Sequence, residues 1–253
     1  MIPVVGGSNP LGHPNFPRKW KQPRINCAGS AATACRALVD AALVQIAANV
    51  AGAIEGRDPE FLHQVRVGIR RLRTVLRICE ARRLDKRLRK LALPLGEARD
   101  WDVFVERFGR GKARQREAHA RCRRVLERLD FEVSLEVEDR PVKALAEKAV
   151  ARFHRKALQR ARNIDWRDEK RRHRVRIAVR RLRYACEFFS ACFAGGGAYL
   201  RRLERLQELL GELNDMAVAR RLGGIDQPEE ALIRTLATAW RAFGKEKPPR
   251  AAR

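Results

Sequence analysis

With 253 residues, 45% of them hydrophobic, the chain is long enough for one large or two small domains and can fill a core, which excludes a disordered basic tail. Its net charge of +25 opposes compaction by self-repulsion and calls for an anionic partner: nucleic acid, polyphosphate or an anionic membrane surface. The six cysteines form no C-x-x-C pair and no zinc spacing with histidine, so they are expected to be reduced, structural thiols suited to a cytoplasm.

Residues 1–28 are rich in Pro, Gly and Asn and lack the basic start and apolar core of a secretory signal. They are expected to form a flexible leader. From residue 29 a helical period dominates and predicts helices over 29–54, 59–82, 84–107, 112–129, 141–163, 167–193, 198–221 and 228–243. Asp58-Pro59 supplies an N-cap and a first-turn proline for the second helix. Gly109 and Gly111 break before the fourth, and Gly195-Gly196-Gly197 and Gly223-Gly224 flank the seventh. Glu132–Glu138 alternates like a strand but is read as a loop, and 244–253 as a flexible tail. No run of 18 apolar residues is present, so no membrane span is expected.

An internal repeat organises the chain. His63-x-x-Arg66-x-x-x-Arg70-Arg71-x-Arg73 recurs 110 residues later as His173-x-x-Arg176-x-x-x-Arg180-Arg181-x-Arg183. Leu95-Gly96-Glu97-Ala98-Arg99-Asp100 is echoed 115 residues later by Leu210-Gly211-Glu212-Leu213-Asn214-Asp215. The eight helices then divide into halves of four, about 29–135 and 136–243.

On a helix turning about 100° per residue, His63, Arg66, Arg70, Arg73 and Arg77 share a sector of about 80° and span about 21 Å. Val65, Ile69, Leu72 and Leu76 lie opposite, so one face packs while the other presents cations. His173, Arg176, Arg180 and Arg183 repeat the arrangement, but Glu187 stands where Arg77 stood. Tyr184 falls beside this second stripe. A merely soluble face mixes signs, whereas Arg66/Arg70 and Arg73/Arg77 are like-charged i,i+4 pairs, each costing about 0.2–0.5 kcal/mol. Arginine's planar fork also matches two phosphate oxygens at once. The two histidines head their stripes on the charged face, which suits anion contact; neighbouring arginines should lower their pKa and bound phosphate restore it. No carboxylate or nucleophile is identifiable beside them.

These two helices, with Leu-Gly-Glu-Ala-Arg99-Asp100-Trp-Asp102 and Leu-Gly-Glu-Leu-Asn214-Asp215, resemble the CHAD family, the conserved histidine α-helical domain, over about 29–243. The resemblance implies an all-α fold of two pseudo-symmetric four-helix bundles with a basic channel or surface between them. It also implies binding of inorganic polyphosphate, often at polyphosphate granules. The residues it carries over are His63, Arg66, Arg70, Arg73, His173, Arg176, Arg180 and Arg183. The stripe geometry adds Arg77, while Glu187 departs from an even channel. Glu136-Val-Glu138-Asp-Arg140 looks faintly like the Glu-x-Glu-x-Lys strand of the CYTH domains sometimes fused to this family, but it ends in Arg and is read as a loop.

No P-loop, G-x-G-x-x-G, H-E-x-x-H or G-x-S-x-G is present. Asp100, Asp102 and Asp215 are read as arginine partners at helix seams rather than metal ligands. The expectation is a non-enzymatic polyphosphate-binding protein with no metal or cofactor. The alternatives are non-specific RNA or DNA binding, an accessory to a phosphate-processing enzyme, or a phosphate-transferring enzyme. Few aromatics accompany the stripes for base stacking. Six engaged arginines would give a log–log salt slope of roughly −4 to −5.

Overall fold

The computed structural model describes residues 16–56, 58–129, 133 and 135–251. Among them are eight α-helices and no strand: α1 (Ala31–Glu55), α2 (Pro59–Ile78), α3 (Arg82–Phe108), α4 (Lys112–Leu126), α5 (Val142–Ala161), α6 (Glu169–Phe188), α7 (Gly197–Gly223) and α8 (Glu230–Phe243). The all-helical expectation holds, and side-chain caps start two of the helices. Asp58 accepts the Glu60 N–H to start α2, and Asp168 accepts the Arg171 N–H to start α6. The helix predicted over 59–82 stops at Ile78 because Glu80 turns left-handed (φ 61°). The one predicted over 167–193 stops at Phe188 and continues as the single 3-10 turn Ser190–Cys192. Residues 135–140 carry no regular structure; the remainder of the Glu132–Glu138 run lies largely outside the described residues.

The chain forms two compact units. In the first, comprising the chain up to Arg24 and Cys35–Val137, α2 packs on α3 and α3 on α4. There α1 and α2 approach closely through two glycines. A Cβ on Gly68 would lie 2.7 Å from Ile46 Cγ1, and one on Gly52 would lie 2.5 Å from the Phe61 ring. The helix α3 runs through Pro94, which has no N–H for the carbonyl one turn back.

In the second unit, Ile25–Ala34 and the chain from Glu138, α5 packs on α6, α6 on α7 and α7 on α8. Residues 25–34 belong here for two reasons. The Ala31 N–H donates to the Arg140 carbonyl at 2.8 Å and the Val142 N–H to the Gly29 carbonyl at 3.0 Å. Cys27 is also disulfide-bonded to Cys192.

That disulfide corrects the expectation of six reduced thiols, and the inference of a reducing compartment loses its ground. Spacing rules register short motifs only, and these two cysteines are 165 residues apart. The other four are free, with the Cys35 and Cys79 sulfurs 2.7 Å apart. Burial pushes the Cys122 and Cys186 thiols up to about 12, so they stay protonated and act as apolar side chains.

Residues 1–15 of the expected leader lie outside the described residues. The remainder makes definite contacts: Asn49 both accepts the Arg18 N–H and donates to the Arg18 carbonyl, each at 2.9 Å, and the Arg71 guanidinium stacks 4.6 Å from the Trp20 ring centre. In the expected tail, the Ala251 N–H donates to Glu147 at 2.7 Å. The helix α1 is long and apolar enough, by length and composition, to cross a membrane, which the count of uninterrupted apolar residues overlooked. Here its apolar positions Leu38, Ala42 and Ile46 are buried in protein.

Candidate anion-binding site

In the first unit the stripe lies on α2, held by a core of Val65, Ile69, Leu72 and Leu76, each at most 1% exposed. The cations opposite are half-buried rather than fully solvated. Arg66 reaches across to α3, where its Nη1 donates to the Leu95 carbonyl at 2.6 Å. This contact accounts for the glycine in the first copy of the Leu-Gly-Glu motif, whereas a Cβ on Gly211 in the second copy would meet nothing within 4 Å. A Cβ on Gly96 would sit 3.3 Å from that guanidinium nitrogen, so a side chain there would crowd Arg66. The contact with the Leu95 carbonyl fixes the direction of the Arg66 guanidinium.

His63 lies among these cations. Burial lowers its pKa below the usual 6.5; Glu60 opposes this, and Arg70, Arg99 and Arg66 lower it further. The ring is therefore neutral at pH 7, within electrostatic reach of Arg70, Arg99 and Arg66. The Nε of Arg70 is buried and has no hydrogen-bond partner among the described residues. Arg99 of α3 joins this candidate group; the stripe pattern does not mark it, and its place in the Leu-Gly-Glu-x-x-Asp motif is the available signal.

Arg73 and Arg77 are arranged differently. Both turn onto one carboxylate, Asp85 of α3, with Nε–O distances of 2.8 Å and 2.5 Å. Asp85 is 1% exposed. Burial alone would raise its pKa, but the two guanidiniums outweigh that and hold it below its ordinary value. This end of the predicted stripe is thus partly neutralised.

In the second unit His173 is exposed, and Arg176, Arg180 and Arg183 are half-buried. His173 Nδ1 lies 3.3 Å from Asn214 Oδ1, at the motif position that Arg99 holds in the first unit. Arg183 donates to Gln207 at 2.8 Å and pairs with Glu187 one turn along. Tyr184 is not beside an open stripe. It is 3% exposed and stacked on Phe188, so it has no face to offer a base.

One acid of the Leu-Gly-Glu segments differs from expectation. Asp102, predicted to meet an arginine, instead accepts from Gln115 at 2.9 Å and lies 2.6 Å from His119 Nε2. His119 shows no sequence pattern, because its partner is on another helix. Among the described residues no group of three or more His, Cys, Asp or Glu is placed to hold a metal ion.

The sequence pattern that defines the CHAD domain matches residues 37–223. The chain belongs to the CHAD family. The matched CHAD segment contains both basic helices and both Leu-Gly-Glu motifs, while α8 lies beyond it. The fold is similar to the crystal structure of the CHAD domain from the plant Ricinus communis. The TM-score is 0.70 at 26% identity, covering 94% of this chain and all of that one. No curated protein matches this CHAD chain.

Proposed function

We propose that the protein binds inorganic polyphosphate electrostatically, without catalysing a reaction, through the cationic faces of α2 and α6. Family membership supports this reading, since CHAD domains are associated with polyphosphate. The observation that carries it is the surroundings of His63. A neutral imidazole held among Arg66, Arg70 and Arg99 is a cluster of like charges that a phosphate chain would relieve. Arg176 and Arg180 with His173 give the second unit a similar face. Location at polyphosphate granules is part of the same proposal.

Binding of RNA or DNA is the second reading, because the same cations attract any phosphate backbone. It has less support: the aromatic nearest a stripe in sequence, Tyr184, is buried. The deciding experiment measures binding of long-chain polyphosphate against RNA at equal phosphate concentration. Retention of polyphosphate supports the proposal, and displacement by RNA overturns it.

A further inference from the structure

A second concentration of positive charge lies away from both stripes, in the second unit. Lys156, Gln159 and Arg160 of α5 with Arg171 and Arg174 of α6 line an open cavity of about 340 Å³. On the α6 wheel, Arg174 and Arg171 stand about 100° and 160° from His173, away from the sector that carries Arg176, Arg180 and Arg183.

The repeat shows what this place is in the other unit. Helices α1 and α5 correspond at an offset of 111, Ala31 to Val142, with buried positions matching as Ala34/Leu145, Leu38/Ala149, Ala42/Phe153 and Ile46/Ala157. Lys156 and Arg160 then stand where the first unit has Gln45 and Asn49, and Arg171 and Arg174 where it has Phe61 and Gln64. All four first-unit residues are buried. Gln45 donates to Gln64 at 2.8 Å, and Asn49 grips the Arg18 backbone, so a peptide segment of the chain covers that spot. In the second unit every one of the four positions is a cation, and the place is open.

Elsewhere the chain pairs its arginines with acids: Arg172 with Glu229, Arg220 with Asp226 and Glu229, Arg73 and Arg77 with Asp85. Among the described residues none of the four pocket cations meets a carboxylate. The neighbouring Asp168 is occupied by the Arg171 backbone N–H at 2.9 Å. The Arg171 guanidinium is instead aimed by main-chain carbonyls at the end of α5, Asn163 at 3.0 Å and Arg162 at 2.9 Å. A guanidinium oriented by neutral acceptors keeps its charge and has already lost its rotamer freedom, which favours an anionic ligand.

We propose that this α5–α6 pocket is a separate anion site that takes a compact oligophosphate of the size of pyrophosphate. Four cations match the charge of one small, highly charged phosphate. The volume lies at the small end of ligand pockets, about 300–1,000 Å³, and does not suit a polymer.

The test uses the full chain with pyrophosphate as probe, by calorimetry. Arg70→Gln with Arg180→Gln removes the stripes' central cations and so weakens their competition with the pocket. In that background pyrophosphate should bind at one site per chain, and adding Arg160→Gln with Arg174→Gln should weaken it at least tenfold. Arg160 and Arg174 are exposed, so thermal melting should show that these variants remain folded. Should either pair of substitutions unfold the chain, protection of Arg160 and Arg174 from an arginine-modifying dicarbonyl by pyrophosphate, in the unmutated protein, replaces it. Absence of binding in the stripe-deficient background, binding indifferent to Arg160 and Arg174, absence of protection, or equally tight binding of citrate would each overturn the proposal. None of these outcomes bears on polyphosphate binding by the stripes.

Discussion

Glu187 pairs with Arg183 on α6, and it does so from the position that Arg77 occupies on α2. The first unit neutralises the same end of its stripe with an acid from a different helix, Asp85 of α3, which takes both Arg73 and Arg77. The departure from repeat symmetry is therefore a relocation of one negative charge. In both units an acid ties down the C-terminal end of the basic helix.

Asp85→Asn should separate stability from binding. Removing a buried carboxylate leaves two guanidiniums facing each other, at a cost of about 2–3 kcal/mol, below the range for fully buried pairs because Arg77 is 40% exposed. Polyphosphate affinity should rise, since Arg73 loses its carboxylate partner. Chemical denaturation and a polyphosphate titration check the two halves of this statement.

Binding should take up protons. His63 has a folded-state pKa depressed below 6.5, so it is neutral at pH 7, and its stabilising contribution, complete above about 6.5, is lost as pH falls through the depressed value. A phosphate chain beside the ring raises that value again. Affinity should therefore increase as pH falls below about 6.5, with up to one proton absorbed through His63. Calorimetry in buffers of different ionisation heat measures the uptake, and His63→Asn should abolish that share.

Much of this arrangement is legible in the sequence, and the missing parts share one cause. Helix positions follow from apolar periodicity and caps such as Asp58-Pro59, both local properties. The two basic faces follow because Val65, Ile69 and Leu72 fix which side is inward. What cannot be read is a partner on another helix. Asp85 sits in Arg82-Arg83-Leu84-Asp85-Lys86 and looks like solvated charge, yet it is buried beneath two arginines. Tyr184 lies near the stripe on a wheel, but packing covers it. His119 meets Asp102, and Cys27 meets Cys192, across distances in sequence that no motif records.

The Cys27–Cys192 disulfide should stabilise the second unit. It closes a long loop and holds residues 25–34, so reduction should cost about 2–4 kcal/mol. A phosphine reductant should lower the Tm of the wild type and leave that of Cys27→Ser with Cys192→Ser unchanged.

Gly68→Ala should be destabilising, by about 1–3 kcal/mol, because the new methyl meets Ile46 at 2.7 Å within a packed core. The equivalent position of α6 is Ala178, where Ala178→Gly should cost about 1 kcal/mol through lost helix propensity. Loss of stability in both variants, which exchange the same two residues in opposite directions, would follow from the closer approach of α1 and α2 and is read by thermal melting.

The salt dependence of polyphosphate binding tests the electrostatic account most directly. Arg73, Arg77 and Arg183 are engaged by acids, and phosphate contact is proposed for about four arginines, Arg66, Arg70, Arg176 and Arg180. The log–log slope should then be about −3 rather than the roughly −4 to −5 expected for six. Arg70→Gln with Arg180→Gln should flatten it to about −1.5. A wild-type slope no steeper than about −1, or one that these substitutions leave unchanged, would contradict binding through the cationic faces of α2 and α6.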